Sequence, residues 1–281
     1  MGKPICIYHD NCADGFGAAW VFKNYADREH DFHAGVYQNP PPDCTGRDVY
    51  LVDFSYKRSV VEEILKVATR VVLIDHHKTA IDDLQPLIND RSIEALTDLH
   101  HSGAVLAWKW FNGNAFNDMP SLLWHIEDRD LWRFNLPFTR EVNANIFSYP
   151  FTFEAFDELI KKPIDAVRSE GAALERKHRR EVDAIVKYSK RMITLEGYTV
   201  PFGNVAPMFQ SDVGNTLAKI YPFALMYQDT NDCRVYSLRS VGELDVSAIA
   251  VKYGGGGHKN AAGFRLPFSD VAAFERGVKN G

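Results

Sequence analysis

"VYLVDFSYKRSVVEEILKVATRVVLIDHH", residues 49–77, reads as strand, helix, strand. The run 49–54 is apolar and ends around Asp53. The run 70–77 is apolar and ends on Asp75, His76 and His77. Between them, "RSVVEEILKVA" carries apolar residues at helical spacing. Upstream, "PICIYH" (4–9) is a third buried run, and residues 13–25 carry a helical pattern. The β-α-β-α-β rhythm predicts an α/β domain with a doubly wound, mainly parallel sheet and helices on both faces. Each strand delivers polar residues at its C-terminal end: His9 to Asp14, then Asp53, then Asp75 to His77. Ligands of open α/β sheets bind outside those ends.

Residues 102–113 and 119–132 read as helices, and a charged helical pattern spans about 164–192. Its basic run, Arg176 to Arg180, is flanked by acidic residues, which favours a solvated joining helix over a nucleic-acid contact. After Arg191 the pattern changes. Strand-like runs at 192–195, 198–202, 223–228 and 233–238 surround a helix at about 212–220, a second helix covers 245–253, and "GGGGHKNAAGF" follows at 254–264. The expected organisation is an α/β domain over 1–150, a helical linker over 151–192 and a smaller α/β domain over 193–281.

The 281 residues are 46% hydrophobic and 25% charged, which suits a globular protein with a sizeable core. The net charge of −5 gives no global attraction to nucleic acid or an acidic membrane. A polyanionic substrate must therefore meet a local cluster of cations or metals. Four cysteines without a CxxC pair argue against a disulfide framework or zinc ribbon and fit a reducing compartment. No signal-like segment or membrane-length apolar run is apparent, so a cytoplasmic location is expected.

"LIDHHKT" places an Asp and two His after a buried strand, where alternation lets one imidazole face a metal and the other a substrate. Asp75 can fix a tautomer from behind. Asp53 alone could be a helix cap, but in company with the other strand ends it is a candidate bridge between two cations. "IEDRDLW" (126–132) offers Glu127, Asp128 and Asp130 among apolar neighbours, where a carboxylate needs a partner or a metal. The glycines of "GGGGHK" free the backbone to approach an anion closely, with His258 beside them. Arg239, near the end of a strand, suits phosphate or carboxylate. GxSxG, HExxH and EF-hand patterns are absent. A nucleophile built from Cys12 and His9 is conceivable, but leaves Asp53, Asp75, His76 and Asp128 without a purpose.

Together these residues resemble the DHH phosphoesterase superfamily, through Asp75-His76-His77, and its members with a DHH-associated C-terminal domain, through Gly255-Gly256-Gly257-His258. The motifs run in order over nearly the whole chain. The resemblance implies a two-metal hydrolase of phosphoester bonds. Its cofactor would be two divalent cations, usually Mn2+, with Mg2+, Fe2+, Co2+ or Zn2+ as alternatives. It implies that His9, Asp14, Asp53, His76 and Asp128 hold metal, with Asp53 bridging; a shift from Asp128 to Asp130 stays open. His77 would contact phosphate, Asp75 would support it, and Arg239 with Gly255, Gly256, Gly257 and His258 would bind the substrate from the second domain. The expected active site lies in the cleft between the domains.

The first motif departs from the common pattern: Cys12 stands where a D-x-D-x-D-G form has its middle Asp. A thiolate there favours Zn or Fe over Mn, or Cys12 is a packed thiol. The favoured substrate is a short oligonucleotide or other small nucleotide phosphoester, with no membrane partner, no stable duplex complex, and a homodimer compatible with the resemblance. Two alternatives stay open. One is hydrolysis of polyphosphate, pyrophosphate or 3′-phosphoadenosine 5′-phosphate; the other is a non-catalytic nucleotide sensor.

Overall fold

A computed structural model describes residues 2–188, 191–277 and 279–280. The chain divides into two compact units, 1–176 and 177–281.

The first unit contains β1 (Ile5–His9), α1 (Ala13–Tyr25), β2 (Asp31–Gly35), β3 (Asp48–Val52), α2 (Arg58–Leu65), β4 (Arg70–Asp75), α3 (Lys78–Asn89) and β5 (Glu94–Thr97). Then follow α4 (Gly103–Asn112), α5 (Ser121–Asp130), α6 (Thr139–Ile146), α7 (Phe153–Lys161) and the start of α8 (Ile164–Tyr188). All five strands are parallel, in the order β2-β1-β3-β4-β5. Strand alternation sorts their residues between two cores. Cys6, Tyr50, Val52, Val72 and Ile74 pack with α1, α4 and α5. Ile5, Ile7, Val49, Leu51, Val71 and Leu73 pack with Val61 and Ile64 of α2 and with Leu84 and Leu87 of α3. Helices thus cover both faces, as the continuous apolar strands require. Because β1 lies between β2 and β3, the strand order reverses there. The crevice beyond the C-terminal ends of β1 and β3 is the switch point where such sheets bind ligands.

The second unit carries the end of α8, then β6 (Arg191–Leu195), β7 (Tyr198–Asn204), α9 (Pro207–Ala218), β8 (Phe223–Asp229), β9 (Cys233–Ser240), α10 (Val246–Lys252), β10 (Gly256–His258), β11 (Ala261–Pro267), α11 (Phe268–Gly277) and β12 (Lys279–Asn280). Its sheet runs β10-β11-β9-β8-β7-β6-β12, with only β7 and β8 parallel. Phe202, Leu225, Tyr236 and Phe264 pack with α10 and α11 on one face. Ala224 and Met226 pack with Val213 and Leu217 of α9 and Val182 of α8 on the other.

The two-unit α/β architecture is the one the sequence patterns point to. Helix α8 ends at Tyr188; of the remaining residues of the 164–192 pattern, 189 and 190 lie outside the described residues and 191–192 belong to β6. Of the glycine run, expected as a loop, Gly256 and Gly257 form with His258 the edge strand β10 of a hairpin with β11. Among the described residues no helix is long and apolar enough to cross a membrane.

Candidate metal centre

The backbone bends sharply at two of the three strand ends. After His9 the chain turns through Asn11, whose φ is 51°, and α1 starts at Ala13. Gly15 lies directly under β1, where a Cβ would meet the His9 carbonyl oxygen at 2.5 Å. After β3, Asp53 takes the left-handed conformation, φ 53°, while its N–H still donates to the Ile74 carbonyl at 2.9 Å. Left-handed backbone costs an L-residue about 1–2 kcal/mol and is least unwelcome for Asn and Asp. It breaks the strand alternation where the carboxylate leaves the sheet.

Asp53 is 1% exposed, and its two oxygens face different partners. Oδ1 lies 3.1 Å from His76 Nε2 and Oδ2 lies 3.7 Å from His9 Nδ1. His76 Nε2 also reaches Asp14 Oδ2 at 3.7 Å and Asp130 Oδ2 at 3.5 Å. The potential ligand sets here include His9–Cys12–Asp53, Asp14–His76–Asp130 and Asp53–Asp75–His76–His77, each with donor atoms within 4.8 Å of one another; the first two lie on opposite oxygens of Asp53. Asp75 stands behind. Its Oδ1 accepts from the backbone N–H groups of His76 and His77 at 2.8 and 3.2 Å and pairs with His77 Nδ1 at 2.7 Å. That fixes the imidazole's orientation. The His9 ring is walled by Tyr37 and Phe54, with ring centres 5.2 and 6.3 Å away.

The start of α4 neutralises part of this acidity. Gly103 N–H donates to Asp14 Oδ2 at 2.6 Å, Ala104 N–H to Asp14 Oδ1 at 3.0 Å, and Ser102 N–H to Glu127 Oε2 at 2.9 Å. These are donors that a helix leaves unpaired at its positive end, so buried carboxylates are favoured there. The approach needs Gly103, where a Cβ would overlap Asp53 Cβ and stand 3.0 Å from Asp14 Oδ2.

Asp128, expected among the metal ligands, is engaged elsewhere. Its carboxylate accepts from Asn135 N–H at 2.8 Å, Leu136 N–H at 3.0 Å and the Thr139 hydroxyl at 2.5 Å, lashing the loop after α5. Asp130 is the acid of this helix that reaches His76. A two-residue step turns a side chain about 200° around a helix, so only one of the pair can face the cluster. Of the other expected ligands, His9, Asp14, Asp53 and His76 are brought together. Asp130, Cys12, Gly103 and Tyr37 complete the surroundings. Gly103 carried no sequence signal beyond that of an ordinary helix start.

The electrostatics are those of carboxylates sharing too little positive charge. Burial, then the charges of Asp53 and Asp130, pushes Asp14 well above the usual carboxylate range. Burial also opposes ionisation of Asp53, but the imidazoles of His76 and His9 outweigh it and hold that carboxyl well below the usual range. Burial works against charge on His9 and His76, yet Asp53 raises both well above the ordinary imidazole value. Burial pushes the Cys12 thiol up while His9 pulls it down. Asp53 Oδ2, buried, accepts no hydrogen bond among the described residues. Carboxylates, imidazoles and one thiol, with an unsatisfied buried oxygen at their centre, fit divalent cations.

In the second unit, Arg239 on β9, Ala261 on β11 and His258 on β10 are in register, so they share one face of the sheet. Arg239 donates to Ser237 Oγ and the Leu238 carbonyl, both at 2.9 Å, and to Ser211 Oγ at 3.2 Å. The glycines serve the hairpin itself. A Cβ on Gly255 would overlap the Gly263 carbonyl, and Gly257 has a φ of 137°. Gly256 pairs with Gly263 across the two strands.

The fold and site define a two-unit α/β protein with a candidate two-cation centre of Asp and His at the switch point of a parallel sheet. The chain belongs to the same family as "Uncharacterized protein R106" of Acanthamoeba polyphaga mimivirus, to which it is 31% identical over 295 residues, covering 95% of this chain and 68% of that one. No protein-family model matches. Two solved structures share the fold. An exopolyphosphatase-related protein from Bacteroides fragilis has a TM-score of 0.54 at 14% identity, covering 98% of this chain and 91% of that one. The pGpG-specific phosphodiesterase PggH from Vibrio cholerae has a TM-score of 0.51 at 13% identity, covering 98% of this chain and 97% of that one.

Proposed function

We propose that this protein is a metal-dependent phosphoesterase of the DHH type that hydrolyses short oligonucleotides or other small nucleotide phosphoesters. The observation that carries the reading is Asp53, a buried carboxylate whose two oxygens face two separate ligand sets. In this reading His9, Cys12 and Asp53 hold one cation, and Asp14, His76, Asp130 and Asp53 hold the other. Divalent cations held there supply Lewis-acid charge and lower the pKa of water. The names of the two fold neighbours, a phosphodiesterase and an exopolyphosphatase-related protein, support phosphoester chemistry.

The remaining roles fall to the protein's own groups. His77, held at Nδ1 by Asp75, has its ring oriented to contact a substrate phosphate. The first N–H groups of α4 fix the orientation of the Asp14 carboxyl by donating to both of its oxygens. Arg239, oriented by Ser237 and Ser211, and His258 on the same sheet face bind a substrate phosphate, with the backbone of Gly255, Gly256 and Gly257 beside them. The four cysteines, free thiols all, fit a reducing compartment such as the cytoplasm.

The test is a substrate panel with Mn2+, Zn2+ and Fe2+: dinucleotides, oligomers of three to eight nucleotides, polyphosphate, pyrophosphate and 3′-phosphoadenosine 5′-phosphate. Cleavage of the dinucleotides and short oligomers is expected. Turnover confined to phosphoanhydrides, or to the phosphomonoester, would replace the substrate class. A metal-free protein with no turnover and tight nucleotide binding would overturn the enzyme reading.

A further inference from the structure

Eight non-glycine residues among those described have left-handed backbone, and five of them lie in loops that build or flank the metal centre: Asn11, Asp53, Trp132, Phe134 and Phe138. Asn and Asp tolerate this conformation; Trp and Phe do not. Three strained aromatics within seven residues, beginning two residues after Asp130, call for an explanation. The cost is sustained by Asp128, whose carboxylate and carbonyl together hold Arg133, Phe134, Asn135 and Leu136 by their backbone N–H groups. Strain that surrounding bonds enforce beside a site is a marker of function.

The strained segment displays aromatic rings and guanidinium planes. The Trp132 and Phe134 rings meet edge to face at 5.0 Å. Arg129 and Arg140 hold their guanidinium groups 5.9 and 5.7 Å from the centre of the Trp132 ring, and Arg140 also lies 3.7 Å from that of Phe134. Trp132 and Phe134 are half-buried, and Phe138 and Phe147 are 45% exposed. In a chain of net charge −5, this is a local gathering of arginines. Aromatic surface gathered with guanidinium groups suits a flat heterocycle attached to phosphate, because every base has a π-face and its backbone is anionic. Trp132 is two residues from Asp130, so their Cα atoms lie within about 7.6 Å.

We infer that Trp132, together with the guanidinium groups of Arg129 and Arg140, is the stacking platform for a nucleobase next to the phosphate held at the metal centre. The inference rests on the phosphoester reading and names the residue through which its nucleotide substrates would be recognised by the base.

The experiment compares a dinucleotide with its abasic counterpart. It measures kcat/KM with the Mn2+-loaded protein, and dissociation constants by calorimetry with phosphorothioate forms. Trp132→Gly removes the ring and relieves the left-handed strain; Trp132→Phe keeps a ring. The wild type is expected to favour the base-bearing ligand about tenfold or more. Trp132→Gly should lose that preference while melting no lower than the wild type, and Trp132→Phe should retain most of it. A preference unchanged in Trp132→Gly, or absent in the wild type, overturns the inference. A protein that cleaves neither ligand breaks the phosphoester reading, and the calorimetric preference then decides base recognition separately.

Discussion

The strand-end cluster of the first unit and the glycine hairpin of the second both stand out in the sequence, and they are built on opposite principles. In the cluster, side chains carry the chemistry and the backbone is forced to serve them, to the point of left-handed geometry at Asp53. In the hairpin, side chains are absent so that backbone can approach backbone, Gly255 against the Gly263 carbonyl. A run of unusual residues therefore marks two different needs. Gly103 belongs with the hairpin glycines in type and with the cluster in purpose, since it makes room for Asp53 and Asp14.

The comparison can be broken most severely at Asp53. Asp53→Ala should abolish turnover, a loss far beyond the ~10–100-fold typical of an outer-shell change, with the fold retained by circular dichroism. Substantial residual activity would remove Asp53 from the bridge. The acids of α5 should then separate cleanly. Asp130→Asn should lower metal content and activity at nearly unchanged stability. Asp128→Ala should cost about 3 kcal/mol in denaturant unfolding, because three donors lose a charged acceptor, and should leave the metal sets intact apart from that loss. Equal metal loss in both would restore Asp128 as a ligand.

Smaller effects sharpen the glycine comparison. Gly103→Ala and Gly255→Ala should each destabilise by about 1–3 kcal/mol through overpacking, but only the first should weaken metal binding in a titration. The least effect is expected from pH. The raised values of His9 and His76 mean that the folded, metal-free protein keeps these protons above the ordinary imidazole range. Their contribution to its stability is complete below about pH 6.5 and lost as pH rises through the raised values. Cations need the neutral imidazoles, so the increase in Tm on adding Mn2+ should grow with pH from 6 to 8. A constant or shrinking increase would show that these imidazoles do not exchange proton for metal.

Much of this architecture is legible in the sequence because periodicity and chemistry agree. The helix over 13–25 matches α1 end to end, and the apolar runs ending near His9, Asp53 and Asp75 are β1, β3 and β4. Three kinds of feature are not legible. The edge strands β2 ("DFHAG") and β5 ("EALT") are short and mixed in polarity, so pairing rather than pattern defines them. The strand β10 hides in glycines, which propensity assigns to loops. The exchange of Asp128 for Asp130 depends on where α5 points, a tertiary matter to which both acids are equivalent in sequence.

The grip of α4 on Asp14 has a mechanical side. Helix α4 is buried through Gly103–Trp108, and Ala104 also borders Gly17 of α1, where an added Cβ would stand 3.2 Å away. Asp14 is thus the short arm of a lever whose long arm runs through the core. A change of packing at Leu106 or Ala107, neither of which belongs to the cluster, moves the fulcrum and re-aims the carboxylate. The tolerance of this interior to substitution is set by the tolerance of the two hydrogen bonds that α4 gives Asp14, which is tighter than that of an ordinary hydrophobic contact.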